Sequence, residues 1–423
     1  MNRHTTFSVL LALGVMLAGC SSAPHRAANH LLETENWAEA EEVLDPIAAE
    51  HQDDPRVWRD LGRAQLAQKR YDEAIGSLQT AMELDASDPA VPLLLGLAHE
   101  GLSEWDDAIE AYQAYPRTYG RSSVSGAVRG RMADVVRAIY AERAENALEE
   151  PERIGPRVLL VRYFDVLADI ETYGQLGKGM ADQLIEDFAR LEGMHVVDRL
   201  RYQETLRAVE RARRDGFDPL AAYSLGELIG AGYSLGGTIT PSDERDEIRI
   251  EYYLVNHVTG ETKAPTTITG TLSEFFDLEK RIVARVSEEI GAEMTRAVRR
   301  TIGQIPTTNF RAFLEYANGI DADDQGDTAL ARERFEEAIT LDPLFHLAIE
   351  QKERLDGTPE RILWIARREL QMPFEAARRG RLHTAQSLLT SQPAVLDGES
   401  EDISSVRPLG LGSAIIRVRV DDP

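Results

Sequence analysis

Arg56, Arg59 and Arg63 recur at i, i+3 and i+7, the spacing that places side chains on one face of one helix. Guanidinium forks aligned in this way suit carboxylates, because each presents paired donors in a fixed plane. A solvated helix partly neutralised by Asp60 accounts for the same spacing. Other patterns with chemical potential fall short of their templates. The only thiol is Cys20, which excludes intramolecular disulfides, cysteine-based zinc sites and iron–sulfur clusters held by this chain alone. The nine histidines are scattered and none forms an H-E-x-x-H pair, which speaks against a zinc enzyme. Gly230, Gly232, Gly236 and Gly237 precede and occupy an expected strand, whereas a dinucleotide loop needs glycines after a strand, opening a helix. Gly177-Lys178 is followed by Gly179 where a phosphate loop needs Ser or Thr. No nucleophile elbow of the G-x-S-x-G type occurs. Asp321, Asp323, Gly326 and Asp327 mimic a calcium loop, but Arg332 stands where its bidentate Glu belongs, so an ordinary interhelical turn is expected. No catalytic residue, metal site or cofactor is therefore expected, and the chain reads as a non-enzyme.

Composition sets the wider limits. The chain has 423 residues, 43% hydrophobic and 28% charged, the balance of a folded protein of two or three domains. Acidic residues outnumber basic ones 72 to 47, for a net charge of −25. Phosphate backbones repel such a chain, so nucleic acid is not an expected partner.

The first twenty residues carry an address. A basic start with Arg3, an apolar run from Phe7 to Leu17 and small residues before a cut form an export signal too short to span a bilayer. Leu17-Ala18-Gly19-Cys20 resembles the bacterial lipobox, which implies acylation of Cys20. Ser21 follows and, by the same resemblance, favours the outer membrane over the inner. No later stretch offers eighteen apolar residues in a row. The expectation is a body on the periplasmic face of the outer membrane, held by a lipid anchor only.

A period of 34 residues follows. It aligns Trp37, Tyr71 and Trp105, then Ala40, Ala74 and Ala108, then Leu44, Leu78 and Tyr112. Leu61-Gly62 matches Leu95-Gly96, with Ala27-Ala28 as a degenerate first copy. Small residues where two helices cross and large ones beside them resemble the tetratricopeptide repeat. A further copy is expected at Phe310–Pro343 through Gly319, Ala331, Phe335, Ala338 and Pro343. The resemblance implies that the first helix of each repeat lines a concave groove. There Arg56, Arg59 and Arg63 would stand beside an apolar strip of Leu93 and Leu97. Such a groove would clamp an acidic or C-terminal carboxylate segment of an envelope protein.

The middle of the chain alternates strand and helix signals. Strands are expected at Arg157–Phe164, His195–Val197 and Tyr233–Thr240, and helices at Met180–Leu191, Tyr202–Arg213 and Pro219–Ile229. A hairpin of Ile248–Asn256 with Glu261–Leu272 and one long helix, Phe275–Ile302, complete an α/β sandwich with a mixed sheet. The strings Leu176–Phe188, Val196-Val197-Asp198-Arg199, Leu228–Ile239 and Thr259-Gly260-Glu261 resemble the α/β domain of curli-assembly lipoproteins. They are similar also to the amino-terminal domain of the Tol-system propeller protein. The short connections around the hairpin leave no room for the membrane strands by which curli secretion lipoproteins build a pore.

The expected organisation is α+β multidomain, with α-helical tetratricopeptide repeats flanking the sandwich. It comprises a signal peptide (1–19), three repeats (20–119), a linker helix (120–156) and the α/β domain (157–302). A C-terminal repeat with helices (303–392) and a flexible tail (393–423) follow. Within Ile362–Leu389 two helices can be drawn, and Ser413–Val420 is a late strand that would join the central sheet. The expected role is a non-enzymatic scaffold in envelope assembly, secretion or surface-polymer export. An accessory subunit of a secretion channel and a ligand-binding sensor are the alternatives.

Overall fold

The computed structural model describes residues 22–115, 123–167, 173–221, 223–242, 247–371, 409–411 and 414–416. The signal peptide, Cys20, the second C-terminal helix and most of the tail lie outside the described residues. The chain divides into two compact units, residues 1–116 with 365–372, and residues 117–364 with 373–423.

The first unit is an array of helix pairs: α1 (Ser22–Glu33) with α2 (Trp37–Glu50), α3 (Pro55–Ala67) with α4 (Tyr71–Leu84), and α5 (Ala90–Gly101) with α6 (Trp105–Ala114). Trp37, Tyr71 and Trp105 each open the second helix of a pair. Two residues earlier, Glu35, Lys69 and Ser103 adopt left-handed φ values of 61°, 62° and 61°. Each is followed by an N–H that reaches back five residues to a carbonyl, Asn36 to Leu31, Arg70 to Gln65 and Glu104 to His99, at 2.9–3.0 Å. These bonds close Schellman-type ends and satisfy carbonyls that the helix terminus leaves open. Inside each pair Ala40, Ala74 and Ala108 have no exposed surface. A Cβ on Gly62 would fall 2.6 Å from Leu78 Cγ, and one on Gly96 would fall 2.4 Å from the Tyr112 ring. The absence of a side chain at these two crossings therefore sets how closely the helices approach.

The second unit begins with α7 (Ser123–Glu149) and continues through β1 (Gly155–Val161), β2 (Asp165–Val166), α8 (Leu176–Phe188), β3 (His195–Val196), α9 (Arg199–Arg214) and α10 (Leu225–Leu228). Next come β4 (Ala231–Ser242), β5 (Glu247–Asn256), β6 (Glu261–Thr262), β7 (Thr266–Gly270), α11 (Phe275–Glu289), α12 (Arg296–Ile302), α13 (Phe310–Gln325), α14 (Thr328–Leu341) and α15 (His346–Arg354). The helix α16 (Pro359–Gln371) runs across the division between the units. The sheet runs β3-β1-β4-β5-β6, with β2 also on β4 and β7 also on β5. Strands β1 to β4 pair in parallel, while β4 with β5 and β5 with β7 are antiparallel, so the sheet is mixed. Alternation along β1 sends Leu159 and Val161 to one face, packed with α8 and α11, and Leu160 to the other, with Val197, Tyr202, Ile229 and Ala231.

Several elements differ from expectation for identifiable reasons. The expected linker helix is present as α7, but it is not polar throughout: it buries Ala127, Val128, Met132, Ala133, Val135 and Val136 within the second unit. A Cβ on Gly130 would fall 2.0 Å from the Arg354 carbonyl oxygen, so α7 seats directly on the end of α15. The expected long helix Phe275–Ile302 is two, because Gly291 takes φ 68° and Glu293 bridges to Glu192. The expected helix Pro219–Ile229 is a 3-10 turn at Pro219–Ala221 followed by α10, which starts afresh at a capping box of Ser224 and Glu227. The second hairpin strand splits into β6 and β7, with Pro265, which has no N–H to donate, just before β7. The late strand does not join the central sheet: β8 (Leu409–Leu411) and β9 (Ala414–Ile416) pair only with each other.

The helix pair of α13 and α14 shares the core of the sheet. One apolar cluster runs from Leu159 and Ile250 through Phe275 and Phe313 to Phe335, Phe345 and Leu355. Gly319 faces the Phe335 ring at 2.5 Å for an added Cβ, and Gly326 takes φ 81° two residues before α14, the geometry of the N-terminal pairs.

Candidate functional site: the arginine face of the first repeats

Asp54 caps α3 by accepting from the Arg56 N–H at 3.0 Å, and Pro55 supplies the preset first turn. That start points Arg56, Arg59 and Arg63 along one side of α3, but each guanidinium has a partner. Arg56 is 64% exposed and donates to Asp54 through Nε at 2.9 Å and NH2 at 2.7 Å. Arg59 lies 3.0 Å from Asp60 and 2.7 Å from Asp88, tying α3 to the turn before α5. Burial alone would lower Arg59, and the two carboxylates more than offset it, leaving the group above its ordinary value. Arg63 sits 5.5 Å from the centre of the Trp37 ring, and burial holds it below its ordinary value, with Asp60 partly offsetting.

The leucines depart from the expected open strip. Leu93 has no exposed surface and Leu97 keeps 8%. The reason is compositional: α5 is apolar around its circumference and is buried at every position from Ala90 to Ala98. A cleft of about 420 Å³ opens beside Arg56, lined by Ile47, His51, Asp53, Asp54, Pro55 and Val57. At the turn of the third pair, His99 Nδ1 stands 2.7 Å from Glu104 Oε2, and Asp107 brings a third ligand atom within 4.8 Å of both. Those three are the group among the described residues that could hold a metal ion. Their spacing matches no recognised motif, and only the turn between α5 and α6 brings them together.

Residues 25–91 and 65–129 match family models of the tetratricopeptide repeat. Residues 25–129 are tetratricopeptide repeats. Among solved structures, the chain is similar to a tetratricopeptide repeat protein from Parabacteroides merdae ATCC 43184, at 11% identity and a TM-score of 0.27, covering 79% of this chain and 98% of that one. It is similar also to yeast Tom70, at 12% identity and a TM-score of 0.26, covering 82% of this chain and 69% of that one. No curated protein matches the chain. The tetratricopeptide repeats thus carry the arginine face, with Arg59 joining the second repeat to the entry of the third.

The calcium-loop mimic in the second unit is a buried ionic junction. Asp323 Oδ2 lies 3.1 Å from Arg199, 2.6 Å from Arg354 and 3.3 Å from Arg137. Asp324 pairs with Arg199, takes Lys178 at 3.0 Å and accepts the Tyr163 hydroxyl at 2.8 Å. Asp321 takes Lys178 at 2.8 Å. Burial opposes charge on Asp323, yet Arg354, Arg199 and Arg137 hold its carboxyl far below the usual range. The carboxylates a calcium ion would need are thus neutralised by cations from α7, α8, α9 and α15. Gly326 and Asp327, which accepts the Leu330 N–H at 3.0 Å, form the expected turn.

Proposed function

We propose that this protein is a non-enzymatic scaffold of a bacterial envelope, anchored to the periplasmic face of the outer membrane by acylated Cys20. In this reading its tetratricopeptide repeats dock a protein partner beside a domain of the curli-assembly and Tol type. The carrying observation is the match of residues 25–129 to the tetratricopeptide repeat, a module that binds other proteins. Arg56, the most exposed of the three arginines, beside the cleft of His51 and Asp53, supports a partner with an acidic or C-terminal carboxylate segment. Arg59 serves the array itself, since it spans Asp60 and Asp88. The lipobox at Leu17–Cys20 supports the anchor, and the alternating strands and helices of the second unit suit the envelope role.

Two measurements test this. Cross-linked affinity capture from native envelopes, with the parent and with Arg56→Glu, is expected to recover a partner that the variant loses at unchanged Tm. Fractionation of Cys20→Ala is expected to show release from the outer membrane or uncleaved precursor. Equal capture by both proteins would remove the arginine face from the proposal, and unacylated mature protein retaining Cys20 would remove the anchor.

A further inference from the structure

From Met294 to Leu314 the chain has no acidic residue, and its charges there are Arg296, Arg299, Arg300 and Arg311. On α12 the first three fall at i, i+3 and i+4, hence on one face. All three are exposed, while Val298 and Ile302 pack toward the apolar cluster of the sheet. Unlike Arg199, Arg201, Arg207 and Arg211, none of the three has an ion pair or side-chain hydrogen bond to any described residue. In a chain with 72 acidic residues against 47 basic ones, such a cluster is charge complementary to an anion from outside. Just beyond the helix Ile305 is 43% exposed, between Gln304 and Pro306.

We propose that this face of α12 docks on an anionic phospholipid surface. The guanidiniums take headgroup phosphates in their forks, and Ile305 enters the interfacial layer. Exposed cations with an apolar tip beside them, on one short helix rather than in a groove, suit a flat charged surface better than an extended acidic peptide. The overall charge of −25 does not forbid this, because charges beyond a Debye length of about 8–10 Å are screened at physiological salt. The proposal is independent of acylation at Cys20 and of any partner of the repeats.

The test uses the unacylated chain from Ser21 onward, which keeps every described residue. It is sedimented with vesicles of phosphatidylglycerol and phosphatidylcholine, and with phosphatidylcholine alone, at low and high salt. Partition to the phosphatidylglycerol vesicles alone, weakening with salt, is expected. The triple variant Arg296→Gln, Arg299→Gln, Arg300→Gln, with an unchanged circular dichroism spectrum, is expected to lower that partition about 100-fold. Ile305→Ser is expected to weaken partition while leaving its salt dependence in place. Absence of partition by the parent, or equal partition by the triple variant, overturns the proposal. So does preference for soluble polyglutamate over vesicles, which assigns the face to an acidic protein.

Discussion

Arg199 reaches Asp323 across 124 positions of sequence, NH2 to Oδ2 at 3.1 Å, with both side chains buried. The pair joins α9 beside the sheet to α13 of the C-terminal helix pair. Around it Arg137, Lys178, Arg354 and Asp324 complete a junction in which three cations share Asp323. Removing one partner of such a cluster leaves a buried charge short of compensation, which costs more than the pair itself contributes.

Arg199→Met is therefore expected to lower unfolding free energy by about 3–5 kcal/mol. Denaturant titration of the full chain measures this. A loss under about 1 kcal/mol, the range of exposed ion pairs, would mean that Arg354 and Lys178 already neutralise the junction.

Gly96→Ala and Gly76→Ala form an internally controlled pair. At Gly96 the new methyl meets the Tyr112 ring at 2.4 Å, and overpacking of this kind costs about 1–3 kcal/mol. At Gly76 nothing lies within 4 Å, so the gain in helix propensity stabilises by about 0.5–1 kcal/mol. Thermal unfolding should move in opposite directions for the two variants.

Gly326→Ala isolates the backbone. No atom lies within 4 Å of the added methyl, but φ is 81°. The expected loss of about 1–2 kcal/mol comes from left-handed strain alone. A loss close to zero in denaturant titration would show that the turn relaxes to accept a side chain.

The pH dependence should be dominated by raised carboxyls. Burial pushes Glu279 up to about 8 against the pull of Lys280, and Asp182 up to about 6 against that of Arg199. Groups raised in this way bind protons more tightly folded than unfolded. Their stabilisation is full below the unfolded carboxylate range and is lost as pH rises toward the folded value. Asp323 acts in the opposite sense, its contribution present above the ordinary carboxylate range and lost as pH falls. Glu279→Gln is thus expected to flatten the fall in Tm between about pH 4.5 and 8 and to exceed the parent above it. An unchanged profile would place the titration elsewhere.

The repeats were the most legible part of the sequence, because a helix crossing leaves little choice of residue. Gly62 against Leu78 and Ala74 without exposed surface mark the close approach, and Trp37, Tyr71 and Trp105 fall on the first residue of their helices. The positions of the main strands were legible from apolar and β-branched runs, while their order in the sheet and the ends of elements were not. Gly291 and Pro265 each broke a pattern whose apolar periodicity continued past them. The arginine face was legible only in part: spacing placed three side chains on one side of α3, but Asp88, from the turn before α5, and Trp37, from α2, engage two of them. The Arg199 junction left no periodic trace, since its members are scattered from Arg137 to Arg354 and charge pairing has no fixed sequence spacing.

The continuous apolar cluster from Leu159 to Leu355 limits how the chain can be lengthened or trimmed. At the amino-terminal side, the second helices of the pairs begin at Trp37, Tyr71 and Trp105 in one register, so a whole pair can be inserted or excised without altering its neighbours' geometry. At α13 no such freedom exists. Phe313 packs on Tyr316 within the helix pair and on Phe275 and Phe276 of α11, in the same apolar cluster as the sheet, so excising that pair would uncover α8 and open that cluster to water. The two ends of the molecule therefore tolerate different kinds of variation: modular growth upstream, and downstream only the exchange of one side chain at a time.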